Sequence, residues 1–270
     1  MREPAALDTE SLDRRFGSLA GSYASAKPFP HAVMDDFLPA EWLEAVLDEF
    51  PAPDDMEIQF DSARQTKSAS QDWSSFGPAT RHVIAELNSG PFIAFLERLT
   101  GVDHLIPDPH LAGGGLHQIR RGGKLGVHAD FNRHEELRVD RRLNLLVYLN
   151  KDWDEAWGGA FEMWSTDMLR CEERVAPLFN RCVVFSTTDT SFHGHPDPLD
   201  CPPDRSRRSI AMYYYTAGRP RDELSSPHTT LFKDRPGKQA DSTRRDAARD
   251  LAMDWLPPVL FRQLQRRRRA

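Results

Sequence analysis

The chain has 270 residues, a formal net charge of −6 and an apolar fraction of 39%. This length fits one large domain with additions, and the apolar fraction is enough for a sizeable core. The mild charge gives no reason to expect nucleic acid or an anionic membrane as a partner. The longest apolar runs, such as Leu145 to Leu149, are far too short to span a bilayer.

The three cysteines (Cys171, Cys182 and Cys201) form no CxxC pair, and their odd number argues against a disulfide framework. This favours a reducing compartment. The N-terminus lacks the basic start and apolar stretch of a signal peptide. We therefore expect a cytoplasmic protein, and no feature of the sequence specifies its oligomeric state.

The first hundred residues predict mainly helices. An arm over 1–27 is rich in polar and small residues, which favours a segment that is partly disordered or laid over the surface. After a short strand near Val33, apolar residues at helical spacing predict one helix behind Pro39. Two more helices are predicted over 79–99, separated by the turn-forming Asn88-Ser89-Gly90-Pro91. The stretch 54–78 is polar, with no predicted element.

From residue 103 the pattern changes to short β-prone runs separated by turns. The runs are LHQI, GVHADF, LNLLVYLN, AFEMW, ERVAPL, RCVVFS and SIAMYYYT. They predict an antiparallel sandwich or barrel with the helices packed outside. We expect this domain to cover 28–220. A C-terminal extension over 221–270 would hold a helix beginning near Ser242 and the arginine-rich tail Arg266 to Arg269.

His128 and Asp130 lie on one of these runs, GVHADF. Side chains two residues apart in a strand point to the same face, so an H-x-D pair can offer one metal ion a nitrogen and an oxygen. Two histidines and one carboxylate are the ligand set of iron(II) oxygenases. The pair alone is weak evidence, because a hydrogen-bonded surface histidine and aspartate would give the same pattern.

A second group of residues strengthens this interpretation. The segment Ser191-Phe192-His193-Gly194-His195 follows the predicted buried strand RCVVFS, and Arg207 starts the last strand. A cation on a buried face needs an anionic partner, which a dicarboxylate held by the guanidinium would provide. Tyr148 shares a strand face with Asn144, and its hydroxyl is placed to share that carboxylate.

Together these motifs resemble the 2-oxoglutarate- and iron-dependent dioxygenases of the prolyl 4-hydroxylase type. The matching pattern is H-x-D, then S-F-H some sixty residues later, then R-x-S-I in a strand. The stretches VYLNKDWDEAWGGAFEMW and KPFPHAVMDDFLPAEW are also similar to segments of those enzymes. The likeness covers about residues 28–217.

The resemblance implies a mainly β fold, a double-stranded β-helix or jelly roll, to which we add N-terminal flanking helices and a C-terminal helix. It implies Fe(II) held by His128, Asp130 and His193. It also implies 2-oxoglutarate bound by Arg207 and Tyr148, with Asn144 beside them, O2 as a second substrate and ascorbate as a reductant. The implied reaction hydroxylates an unactivated C–H bond and releases succinate and CO2.

Several alternatives remain open from the sequence. His195 competes with His193 as the distal ligand, and Arg208 competes with Arg207; we favour His193 and Arg207 because they hold the S-x-H and R-x-S positions. His195 and Gln118 are candidates for a substrate pocket. The substrate is a prolyl or other protein side chain, a peptide or a small metabolite. The alternative function is a catalytically silent jelly-roll binding protein.

Overall fold

The N-terminal part of the chain folds into helices. The structure is a computed structural model that describes residues 7–237. Its α-helices are α1 (Thr9–Phe16), α2 (Ala20–Tyr23), α3 (Ala40–Asp48), α4 (Pro78–Leu87) and α5 (Gly90–Thr100). The last three confirm the helices predicted from apolar spacing. The first two lie within the predicted arm, where Leu12, Phe16 and Tyr23 are buried, so the arm packs on the core through one face while most of its other residues stay exposed.

The described residues also form two antiparallel sheets. Their strands are β1 (His31–Met34), β2 (Ile58–Asp61), β3 (Thr66–Ser70), β4 (Ile106–Pro107), β5 (Gly115–Arg120), β6 (Leu125–Ala129), β7 (Asp140–Tyr148), β8 (Phe161–Trp164), β9 (Cys171–Val175), β10 (Cys182–Ser186), β11 (His193–His195), β12 (Ser206–Thr216) and β13 (Leu231–Phe232). The larger sheet has the order β1-β10-β7-β12-β5-β3-β2, with β4 beside β12, and the smaller has the order β13-β6-β11-β8-β9. The predicted jelly roll with N-terminal helices is confirmed; the hairpin β2–β3 was not predicted.

The main hydrophobic core lies between the larger sheet and the helices. In β7, Leu143, Leu145 and Val147 are fully buried in this core together with side chains of α3, α4 and α5. The alternate residues of the same strand, Asn144 and Tyr148, point the other way, toward the smaller sheet. The strand's alternation therefore separates a stabilising apolar face from a face that is available for chemistry.

The space between the two sheets is lined by aromatic and polar side chains. Phe185 of the larger sheet contacts Phe161 of the smaller one, with ring centroids 5.1 Å apart. Tyr148, Met163 and Val183 belong to the same buried cluster. This second cluster joins the two sheets, and its rings Phe161 and Phe185 lie directly against His193.

The C-terminal extension begins by returning to the smaller sheet. There β13 pairs with β6 so that Phe232 lies opposite His128, and the Lys233 N–H donates to the Val127 carbonyl at 2.8 Å. The predicted helix near Ser242 and the arginine tail lie outside the described residues. Among residues 7–237, no helix combines the length and apolar character that crossing a membrane requires.

Asn180 joins the larger sheet to the segment that leads into α3. Its backbone is left-handed, with φ of 61°, a conformation that asparagine tolerates better than most residues. Its side-chain oxygen accepts from the Leu38 N–H at 2.9 Å, and its amide donates to the Leu38 carbonyl at 2.7 Å. Its backbone N–H donates to the Tyr148 carbonyl. The residue is 3% exposed, so these bonds are sheltered from water.

Asn180→Ala is expected to lower the free energy of unfolding by about 2–4 kcal/mol, because two buried backbone groups lose their partners. Urea denaturation measures the change. Asn88→Ala is the matched control: its side-chain amide makes a single long bond of 3.4 Å to the Asp108 carbonyl, and its oxygen has none. A loss for Asn180→Ala no larger than for the control would contradict this account.

Candidate metal centre

Strand pairing brings His128 and His193 together. His128 on β6 lies directly opposite His193 on β11, and directly paired residues of antiparallel strands share one face of the sheet. The two ring centroids are 4.5 Å apart. Asp130 follows β6 immediately, with carboxylate oxygens 3.5 Å from His128 Nε2 and 3.4 Å from His193 Nε2. One ligand atom from each residue lies within 4.8 Å of the others, a spacing that suits a single metal ion.

Both imidazoles are oriented by their backbone. His128 Nδ1 lies 2.9 Å from the Gly126 carbonyl, and His193 Nδ1 lies 2.8 Å from the Ser191 carbonyl. A carbonyl can only accept, so each Nδ1 carries the proton and each Nε2 keeps its lone pair for the cluster. Burial lowers the pKa of His193 to about 4, which keeps this ring neutral at pH 7. Imidazoles fixed in this orientation present their Nε2 atoms to a metal ion.

Asp130 is held in its charged form by the larger sheet. The Asn144 amide donates to its Oδ2 at 2.7 Å, and the Arg141 guanidinium lies 3.4 Å from the same oxygen. Burial opposes the charge, but Arg141, with contributions from the two imidazoles, holds the pKa of Asp130 well below its usual range. The residues fit a divalent cation: two nitrogens and one carboxylate oxygen on one side, as in iron(II) oxygenase sites.

Arg141 is itself fixed by contacts on three sides. Its guanidinium carbon lies 3.4 Å from the centre of the Tyr213 ring and 4.4 Å from that of Phe131, and its Nε donates to Asn144 Oδ1 at 2.7 Å. Strict alternation would place Arg141 and Asn144 on opposite faces of β7. An irregularity in the pairing with β12 shifts the register between them, so both face the space between the sheets.

Arg207 and Tyr148 form a second polar group, on the inner face of the larger sheet. The Arg207 guanidinium donates to the Tyr148 hydroxyl at 3.2 Å and to the Gly159 carbonyl at 2.8 Å. A side chain at Gly159, where φ is 76°, would come within 3.0 Å of Arg207 Cδ, so the Gly-Gly turn allows this approach. Among residues 7–237, no carboxylate lies within ion-pair distance of Arg207, which is 6% exposed. The buried guanidinium is thus available to an anionic ligand.

His195 lies near Arg207 and does not join the cluster. The only grouping of metal-ligating side chains found among the described residues contains His193 and omits His195. His195 is 3% exposed, and neither of its ring nitrogens has a hydrogen-bond partner within that part of the chain. Burial, followed by the charge of Arg207, lowers its pKa well below the usual value. It is a neutral ring with donor and acceptor capacity left over.

Gln118 and Asn144 make contacts other than those predicted for them. Gln118 points to the outer face of the larger sheet, where its side chain lies 2.7 Å from the Ser206 hydroxyl, so it is not beside the metal cluster. Its neighbour His117 pairs with Ser209 and takes the inward position. Asn144 binds Asp130, whereas the prediction placed it with the cosubstrate. Adjacent residues of a strand face opposite sides of the sheet, so the inward position belongs to His117 and the outward one to Gln118.

Two inward residues, Arg141 and Lys67, were missed in the sequence. For Arg141 the obstacle was the irregular register of β7. Lys67 lies on the unpredicted hairpin β2–β3, whose strands are too polar for an apolar alternation to stand out. The only available signal was Thr66 to Ser70, a short run whose faces alternate once its pairing with β5 is known.

The part of the chain that contains the metal cluster, Tyr148 and Arg207 matches a known protein family. Residues 114–215, which contain both polar groups, match the model of the 2OG-Fe(II) oxygenase superfamily. This part of the chain belongs to the 2OG-Fe(II) oxygenase superfamily. Within this oxygenase domain the first metal-ligand candidate lies in β6 and the guanidinium in β12, in the order that the sequence resemblance predicted. No curated protein sequence matches the chain.

Solved structures share the fold of this oxygenase. A prolyl-4-hydroxylase from Pseudomonas putida is 18% identical, with a TM-score of 0.51 over 75% of this chain and 100% of that chain. A prolyl hydroxylase from Trichoplax adhaerens, in complex with a hypoxia inducible factor peptide fragment, is 15% identical, with a TM-score of 0.52 over 77% and 90%. A prolyl 4-hydroxylase from Phytophthora capsici is 19% identical, with a TM-score of 0.54 over 80% and 68%. At these identities the likeness concerns the fold.

His193→Ala is expected to abolish tight binding of Mn(II), used as a redox-stable substitute for Fe(II), because it removes one of three ligands. His195→Ala is the matched control and is expected to bind the metal as the unaltered protein does. Isothermal titration calorimetry measures both. Retained binding in the first variant, or lost binding in the second with folding intact, would contradict this assignment, and both results together would exchange the roles of the two histidines.

Asn144→Ala is expected to weaken Mn(II) binding by about 10–100-fold, the usual effect of removing a partner that orients a ligand. Asn150→Ala serves as a control, because Asn150 is also buried but bonds to the Pro177 carbonyl and the Arg208 N–H, away from the cluster. The same titration, with unfolding monitored in parallel, compares them. Equal metal affinities for the two variants would show that Asn144 does not support Asp130.

Proposed function

We propose that this oxygenase hydroxylates an unactivated C–H bond, with Fe(II) held by His128, Asp130 and His193 and the distal carboxylate of 2-oxoglutarate held by Arg207 and Tyr148. The observation that carries the proposal is the presence, in the space between the two sheets, of a three-residue cluster of metal-ligating side chains and a buried guanidinium without a carboxylate partner among the described residues. When bound, Fe(II), 2-oxoglutarate and O2 supply the oxidising chemistry, with succinate and CO2 as by-products.

The protein's own residues orient and shield these groups. The backbone carbonyls of Gly126 and Ser191 fix the imidazoles, and Asn144 with Arg141 fixes the carboxylate of Asp130. Burial raises the pKa of Tyr148, so its hydroxyl stays protonated and can donate to a carboxylate beside Arg207. The rings of Phe161 and Phe185 pack against His193 and exclude water from that side.

The protein has a cleft whose wall includes the residue that follows Asp130. It has a volume of about 1110 Å³ and is bounded by Phe131, the residue after Asp130, and by Gly113, His134 and Thr229 among others. This volume accommodates a small metabolite or a peptide side chain, and we propose one of these as the substrate.

The odd number of free cysteines among the described residues supports our proposal of a reducing, cytoplasmic location.

Arg207→Met is expected to weaken 2-oxoglutarate binding about 100-fold or more, because the distal carboxylate loses its buried cation. The measurement is the visible charge-transfer band formed on anaerobic addition of Fe(II) and 2-oxoglutarate. Arg207→Lys should recover part of the affinity. Arg208→Met is the matched control, since Arg208 bonds to the Ser206 hydroxyl and lies over Phe50, on the outer face.

In the same experiment the unaltered protein should also release succinate when O2 is admitted. Absence of both the band and succinate, with the fold intact, would refute the enzymatic function and favour a catalytically silent binding protein. A band that persists in Arg207→Met but is lost in Arg208→Met would assign the cosubstrate to the other arginine.

A further inference from the structure

Lys67 faces the space between the two sheets. On β3, Ala69 pairs with the inward-facing His117, so Lys67, two residues away, shares that inner face. Its cross-strand neighbour is Phe60, and the ammonium lies 5.0 Å from the centre of that ring. The hairpin β2–β3 thus places one lysine on the inner face of the larger sheet, which faces the metal cluster.

The charged neighbours of Lys67 are the residues of the candidate site. The field of Asp130 favours its ammonium, whereas Arg141 and Arg207 oppose it, and Lys67 in turn acts on His117 and His195. Lys67 is partly buried, and burial lowers its pKa to about 8, so most of the population is charged at pH 7. No acceptor or carboxylate of residues 7–237 lies within hydrogen-bond or ion-pair distance of this ammonium.

The charges between the sheets do not balance. Three cations, Lys67, Arg141 and Arg207, face one carboxylate, that of Asp130. The two other buried carboxylates of the described residues, Asp108 and Glu162, have partners elsewhere: Asp108 accepts two backbone N–H groups, and Glu162 pairs with Trp164 and Arg174. A divalent metal and a 2-oxoglutarate dianion together add no net charge, so the excess of two positive charges remains.

The histidines do not add to this excess. Burial, with nearby cations, lowers the pKa of His117 and His195 well below the usual value, so both rings are neutral at pH 7. Two of the three cations already have a position in the proposed function. Arg141 contacts Asp130, and Arg207 would meet the distal carboxylate of 2-oxoglutarate. Lys67 is the cation that is left without an anion.

We propose that Lys67 binds an anionic oxygen group of the substrate, so that this oxygenase acts on a small acid and not on a neutral molecule. The inference rests on the proposed function, because it assigns a role to a further cation in the space between the sheets that holds the proposed metal and 2-oxoglutarate sites. A carboxylate or a phosphate would satisfy the ammonium, and Phe60 holds the lysine stem in place. The excess positive charge would also attract such a substrate from solution.

The test uses the full chain, loaded anaerobically with Fe(II) and 2-oxoglutarate, whose charge-transfer band reports binding next to the metal. The probes are N-acetyl-L-proline and N-acetyl-L-leucine, each compared with its carboxamide, and butyl phosphate compared with butanol. We expect at least one acid to shift the band at concentrations about tenfold below its neutral counterpart. Whether the carboxylates or the phosphate do so identifies the source of the anionic group.

Three variants assign the selectivity to the lysine. Lys67→Met should abolish the preference for acids without changing the 2-oxoglutarate dissociation constant, and Lys67→Arg should keep the preference. Lys124→Met is the matched control, because Lys124 lies beside the hairpin, where its carbonyl accepts from the Thr66 N–H, yet shows no contact with the inner face. Thermal unfolding verifies that each variant is folded.

Two results would overturn the inference. One is that the unaltered protein responds to no acid, or responds to the neutral probes as strongly as to the acids or more strongly. The other is a weakened 2-oxoglutarate affinity in Lys67→Met, which would make Lys67 a cosubstrate ligand. Failure of the proposed function is distinguishable from both, because the unaltered protein would then form no band before any probe is added.

Discussion

The pairing of His128 with His193 is the constraint on which the rest of the site depends. It brings two strands of the smaller sheet into a register where both rings project from one face. Backbone carbonyls two residues before each histidine then fix the ring orientation. A shift of one residue in this register would turn one ring to the outer face, and the cluster with Asp130 could not form.

The larger sheet contributes the remaining polar residues of the site. Asn144 and Arg141 reach across to Asp130, while Arg207 and Tyr148 form the second polar group on the same inner surface. The polar residues can occupy this inner space because the main apolar core lies outside it, between the outer face of the larger sheet and the helices. The inner space can therefore carry buried charges whose desolvation would otherwise be costly.

Much of the fold was predictable because its determinants are local. Apolar spacing identified α3, α4 and α5, and alternation with turn residues identified most strands of the oxygenase domain. The motifs around His128, His193 and Arg207 contain residues that the structure brings into the space between the two sheets. What escaped prediction depends on pairing between distant segments. The hairpin β2–β3 is recognisable only through its contact with β5, and Arg141 turns inward only because the register of β7 shifts.

The central claim is that one metal ion and one 2-oxoglutarate occupy the two polar groups between the sheets. A crystal structure of the protein with Mn(II) and 2-oxoglutarate, with the metal located by its anomalous scattering, tests it most directly. The account predicts a single ion bound by His128, Asp130 and His193, and a cosubstrate whose far carboxylate contacts Arg207 and Tyr148. An ion bound by His195 in place of His193, or a cosubstrate turned away from Arg207, would contradict it.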